Sequence, residues 1–210
     1  MLLLDAGFVA MHLTLRFADS GSLLGSLVSS TLWSLETEGG FAERYGYAKS
    51  ALITGVLLLT AMRARVAMPA VLAGVFALIL ADDAFQIHER TGYLLQWYLQ
   101  VDTTSVQQLG ELMAWAVLGV VVLGALGIGM WRSQGEWRRL AVIYVALIAA
   151  LCFFAIVVDG LHSSLKQVRA MGLIEDGGEL VVLSVIAAVT AAILGRTRRV
   201  EQMERQLNVA

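Results

Sequence analysis

Leu112-Met-Ala-Trp-Ala-Val-Leu-Gly-Val-Val-Val-Leu-Gly-Ala-Leu-Gly-Ile-Gly-Met-Trp131 runs for 20 residues without an ionisable side chain. At about 1.5 Å of rise per residue, a helix of that length reaches about 30 Å, the thickness of the hydrocarbon core of a bilayer. The rest of the chain has the same character: 58% of its residues are hydrophobic, 15% are charged, one is proline, and the mean hydropathy is +0.74. That is the composition of an integral membrane protein, and it excludes a soluble enzyme. The lipid bilayer is therefore the expected partner, and no nucleic-acid partner is expected. Cys152 is the single cysteine, which removes disulfides, cysteine-rich zinc sites, iron–sulfur clusters and covalently attached haem together.

Outside residues 107–131, four more stretches read as spans, at about 45–62, 69–93, 140–158 and 174–195. Arg63 and Arg65 close the first, and Pro69 opens the second in its first turn, where a missing N–H does no harm. The second span runs through an acidic stretch to about residue 93, and the fourth continues past Asp159 and His162 to about residue 167. The fold expected is all-α: an integral membrane helical bundle of about five transmembrane helices over residues 45–199, with a tail at 200–210. Residues 1–44 read as an interfacial or partly inserted region, because Asp5, His12, Arg16 and Asp19 interrupt apolar pieces too short to cross. A short span through residues 2–15 would make six. His12 reads as a surface histidine, and Asp5 with no early Lys or Arg is not the pattern of a cleaved signal peptide. Residues 36–43 read as an acidic turn leading into a helix, where the macrodipole favours negative charge.

Basic residues set the expected orientation. Arg63, Arg65, Arg132, Arg138, Arg139, Arg196, Arg198, Arg199 and Arg205 fall on one side if the spans alternate. The positive-inside rule makes that side the cytoplasm, for a multi-pass protein of the cell inner membrane. Of 17 acidic residues only Glu136, Glu201 and Glu204 lie on that side; the others fall in the N-terminal region, in the opposite half of the spans or in the loops at that face, so the acidic cluster faces the periplasm or cell exterior. Tyr93, Trp97 and Tyr98 fit an aromatic belt at one face, and Trp131 with Trp137 fit one at the other.

Alternation also brings the unusual acids to one leaflet. Asp82-Asp-Ala-Phe-Gln-Ile-His-Glu-Arg90 ends the second span, Glu111 opens the third, Asp159 and His162 end the fourth, and Glu175, Asp176 and Glu179 open the fifth. Ionisable groups at that depth are expensive and mark function by default. At about 100° per residue, Asp82, His88 and Glu89 flank Phe85 on one face, while Asp83 points about 160° away. Asp159 with His162 and Glu175 with Glu179 each share a face, and Gln107 and Gln108 precede Glu111 by one turn. Carboxylates and imidazoles on several helices are the ligand stock of a bundle metal centre. The candidate ligands are Asp82, His88, Glu89, Asp159, His162 and Glu175, for metal ions such as iron, zinc or manganese. Glu111 and Glu179 are then the candidate catalytic acid/base groups of a metal-dependent membrane oxidoreductase or hydrolase. The spacing departs from the usual di-iron Glu-x-x-His, offering only Asp159-Gly-Leu-His162 and an adjacent His88-Glu89.

Other readings stay open. Arg90, Lys166 and Arg169 can neutralise several acids in a metal-free ion-pair network, and Asp176 suits a helix cap. His88 and His162 can serve as axial ligands of haem b. The same acids can form a proton or divalent-cation path of a transporter, or bind a membrane-complex partner of an accessory subunit. Gly119, Gly124, Gly127 and Gly129 read as close-packing positions of the third span, and the eight methionines read as core filler. Neither oligomeric state nor enzymatic activity is fixed by the residues.

Phe41-Ala-Glu-Arg-Tyr-Gly-Tyr-Ala-Lys49, Asp82-Asp-Ala-Phe-Gln-Ile-His-Glu-Arg-Thr-Gly92, Leu109-Gly-Glu111, Asp159-Gly-Leu-His162 and Glu175-Asp-Gly-Gly-Glu179 together resemble a group of uncharacterised bacterial polytopic membrane proteins. The resemblance covers most of the chain from Phe41 onward. It implies that these five stretches belong together and carries no activity. More loosely, the ligand stock is similar to that of membrane-bound di-iron oxidases, and the Asp/His content to that of seven-span zinc-dependent membrane hydrolases. Span count and spacing match neither.

Overall fold

The structure is a computed structural model that describes residues 1–17, 30–164 and 171–207, with side chains for all of these except 162–164 and 200–207. Among the described residues every regular element is helical. The order is α1 (Leu2–Phe17), a 3₁₀ turn (Thr31–Trp33), α2 (Phe41–Ala64), α3 (Ala67–Phe85), α4 (Ile87–Leu99), α5 (Thr104–Arg132), α6 (Gly135–Cys152), a π-helical segment (Phe153–Val158), α7 (Asp159–Ser164) and α8 (Met171–Leu207). Among the described residues, five helices are long and apolar enough to cross a membrane: Phe41–Ala64, Ala67–Phe85, Thr104–Arg132, Gly135–Leu161 and Met171–Arg199. The all-α membrane bundle and its span count therefore agree with expectation. Val117, Val120, Leu123 and Trp131 of α5 stand exposed, a pattern that suits a helix bathed in lipid.

The second span departs from the expected course. It does not run unbroken to residue 93 but stops at Phe85, where Gln86 takes the left-handed conformation (φ 50°, ψ 46°), and α4 begins at Ile87. The Gln86 N–H donates to the carbonyl oxygens of Asp82 and Asp83, a left-handed helix cap. A residue with a side chain resists that conformation. Here the Asp82 carboxylate offsets the cost by accepting the His88 backbone N–H at 3.1 Å, one of the donors that the first turn of α4 would otherwise leave open.

The chain divides into two compact units, Ile53–Val142 with Ile193–Ala210, and Met1–Leu52 with Ile143–Ala192. In the first of these, α3 and α4 run antiparallel along α5. Gly129 faces Met68 and Val71 at one end, and Gln96 Nε2 donates to the Thr103 carbonyl at the other (2.9 Å). The closest approach is at Gly92 and Gly110: a Cβ on Gly110 would lie 2.7 Å from the Gly92 Cα, and one on Gly92 would lie 2.8 Å from the Gln107 carbonyl oxygen. Of the four glycines expected to serve close packing, only Gly129 does. Gly119, Gly124 and Gly127 have nothing within 4 Å of a Cβ position.

The other unit is built on Leu35, Ala42 and Leu180, with Phe8, Val9, Tyr45 and Leu173 packed around them. Within it α6 and α8 are joined by a 2.7 Å hydrogen bond between Tyr144 Oη and Thr190 Oγ1, and the Phe154 ring of the π-helical segment lies where a side chain on Gly178 would stand. The acidic turn before α2 behaves as its sequence suggests. Glu43, in the first turn of α2, accepts from the Gly39 backbone N–H and from the Tyr47 hydroxyl.

Candidate functional site

Asp82 lies in the last turn of α3 and is fully buried, at 1% exposure. Its Oδ1 accepts the His88 backbone N–H (3.1 Å), and its Oδ2 lies 2.9 Å from His88 Nδ1. A carboxylate only accepts, so Nδ1 carries the proton of that bond, and Nε2 is left as the nitrogen that exchanges. On an unbroken helix, residues six apart would be separated by about 9 Å along the axis. The left-handed Gln86 folds the ring back within reach. The imidazole packs on Trp115 of α5, with ring centroids 5.0 Å apart, and its Nε2 faces Glu89 Oε1 at 3.9 Å. Burial disfavours the imidazolium and is the largest single influence on this histidine. The hydrogen bond and charge of Asp82, with the charges of Glu89 and Asp83, outweigh it and raise the His88 pKa above the ordinary 6.5.

Glu111 stands next to this group. Its Oε1 accepts from Gln107 Nε2 at 2.9 Å, as the one-turn spacing suggests, and its Cγ packs against Gly92, one turn along α4 from Glu89. Asp82, His88 and Glu89 thus form one chain of contacts, and Glu111 lies on the facing helix against Gly92. Asp82 acts there through His88, because both its oxygens are taken up by that residue. Asp83 is half-buried and contributes its charge. Among the described residues, no three His, Cys, Asp or Glu side chains are grouped so as to hold a single ion.

Asp159, Glu175 and Glu179 belong to the other compact unit. Asp159 opens α7 directly after the π-helical segment and is exposed. The His162 side chain, Lys166 and Arg169 lie outside what is described. Glu175, Asp176 and Glu179 are half-buried near the start of α8. The charges of Glu175, Glu36, Glu43 and Asp159 reach Asp176, and that of Glu179 reaches Cys152.

A second polar centre goes unnoticed in the sequence. Lys49 Nζ, buried in α2, donates to Asp5 Oδ1 of α1 at 2.5 Å and to the Leu180 carbonyl of α8 at 2.8 Å. It also sits 4.3 Å over the Tyr45 ring, and Ser184 Oγ donates to Asp5 Oδ2 at 2.6 Å. The signal was present: a lone cation in one apolar run and a lone carboxylate in another call for each other in a low dielectric. His12 corrects the surface reading given above. It is buried, its Nδ1 accepts the Leu35 backbone N–H (3.2 Å), and the neighbouring Arg16 pairs with Glu36 at 3.1 Å.

Comparisons with curated proteins and with solved structures find no match to this chain. A family profile covers residues 8–193, which take in Lys49, the whole stretch from Asp82 to Glu111, the acids from Asp159 to Glu179, and Ser184. The chain belongs to that family, the domain of unknown function DUF8692.

Proposed function

We propose that this is a multi-pass protein of a bacterial inner membrane whose working group is His88, a proton-exchanging imidazole serving proton-coupled transport. The observation that carries the reading is the grip of buried Asp82 on both the backbone and the ring of His88 at the break between α3 and α4. That grip fixes the tautomer and stabilises the imidazolium, so that proton uptake and release fall to Nε2, with Glu89 as the nearest carboxylate. Glu111, held by Gln107 on the facing helix, is the next acceptor in line. The arginines at 63, 65, 132, 138, 139, 196, 198 and 199 support a cytoplasmic face opposite this site, which then opens to the periplasm. Reconstitution into liposomes with an imposed pH gradient tests it. The expected outcome is proton flux that is lost in His88→Gln. Flux unchanged by that substitution contradicts the assignment.

A second reading rests on the same bond. A carboxylate on Nδ1 is also how a metal-ligating histidine is oriented, and Nε2 with Glu89 Oε1 offers an imidazole and a carboxylate to a cation such as iron, zinc or manganese. Asp82 is then the positioning carboxylate and not a ligand, and Glu111 is the nearest acid/base group. Elemental analysis with a visible spectrum of gently purified protein separates the two. Stoichiometric metal that is lost in His88→Gln favours the metal. Metal-free protein that carries flux favours the proton.

A further inference from the structure

We infer that α1 is a sixth membrane-embedded helix whose outer face is covered by lipid acyl chains. The observation is its inverted amphipathicity. Asp5 and His12 are buried, while Leu3, Ala6, Ala10, Leu13 and Phe17 form an apolar stripe at helical spacing along the opposite face, with Leu3 at 89% and Phe17 at 72% exposure. A helix lying in water against a protein would do the reverse, burying its leucines and showing its aspartate to solvent.

The partners of Asp5 set the depth. Lys49 lies in the third turn of the span Phe41–Ala64, and Ser184 lies midway along the span Met171–Arg199. The point where α1 is fastened is therefore at membrane level, and the surface beside it faces hydrocarbon. The ion pair is what lets α1 stay there. Both carboxylate oxygens of Asp5 are hydrogen-bonded, Lys49 is shared among Asp5, a carbonyl and an aromatic face, and neither charge meets lipid. At 16 residues α1 reaches about 24 Å, short of a full crossing, so it enters the bilayer without being long enough to pass as a span by composition. Arg16, paired with Glu36, marks the end that returns toward the polar face.

The test uses the full chain in lipid nanodiscs on a Cys152→Ser background, with a single cysteine at Leu3→Cys, at Leu13→Cys or, as a water-facing control, at Asp102→Cys. Each is exposed to a membrane-impermeant maleimide and, separately, carries a fluorophore in lipids brominated along the acyl chain. Expected at both α1 positions are loss of maleimide labelling relative to Asp102→Cys and quenching by the brominated chains. Labelling at the control rate overturns the inference. So does protection without quenching, accompanied by disulfide-linked dimers through Leu3→Cys, which assigns the face to a second copy. The two α1 positions are outward-facing, so either variant serves if the other fails to fold.

Discussion

At the residue scale, His88 and Lys49 solve the same problem differently. Each is an ionisable side chain held by a buried aspartate, but Lys49 is enclosed by the protein while half-buried His88 keeps Nε2 outside that bond, 3.9 Å from Glu89 Oε1. Their responses to substitution should differ accordingly. Lys49→Met or Asp5→Asn alone strands a buried polar or charged partner, at a cost of about 3–5 kcal/mol, whereas the two together restore much of the loss. Thermal unfolding of the four proteins in mild detergent checks this, and additive losses would mean the pair is not coupled. For His88 the sign follows from a folded-state pKa above the ordinary 6.5. Its contribution is fully present below about pH 6.5 and is lost as pH rises through the folded value. The stability gap between wild type and His88→Gln should therefore be widest at low pH and close on the alkaline side. A gap that widens with pH would show that the neutral ring is the favoured form.

At the element scale, the spans were legible because each matches or exceeds the roughly 20 residues that a crossing needs, and hydropathy records that directly. The break at Gln86 was not, since glutamine carries no helix-stopping signal and the left-handed turn is held by Asp82, a residue that reads equally well as continuing the helix. Helical arithmetic put Asp82 and His88 on a common face of an unbroken helix. The break is what brings them into a hydrogen bond. Close packing was also misread within α5, because glycines in a membrane helix look alike until a neighbour is assigned. Gly110 touches Gly92, while Gly119, Gly124 and Gly127 face open space. Gly110→Leu should force α4 off α5 and cost about 1–3 kcal/mol or more. Gly124→Ala should be neutral or slightly stabilising, as expected for a better helix former at an open position. Comparing their unfolding midpoints, with Trp115 fluorescence as a reporter of its contact with His88, checks the assignment. Equal effects of the two substitutions would contradict it.

At the scale of the whole molecule, the membrane class, the helical fold and five spans follow from composition and run length, and the DUF8692 family spans nearly all of this architecture. The acids at 82, 89 and 111 stood out because charge at a span's end is costly; Asp82 and Glu89 flank His88, while Glu111 lies against Gly92 of the same helix. The Asp5–Lys49 pair escaped because it closes over 44 residues between α1 and α2, and no local pattern records such a partnership. The central claim is that a buried aspartate at a helix break tunes one imidazole of a membrane bundle for proton exchange. It is tested most directly by titrating His88 by histidine-selective NMR in the intact protein in nanodiscs, in wild type and in Asp82→Asn. The expected result is a wild-type midpoint above the ordinary histidine value that drops in Asp82→Asn, where only the charges of Glu89 and Asp83 remain to oppose burial. A midpoint that does not move when Asp82 is neutralised would contradict the claim.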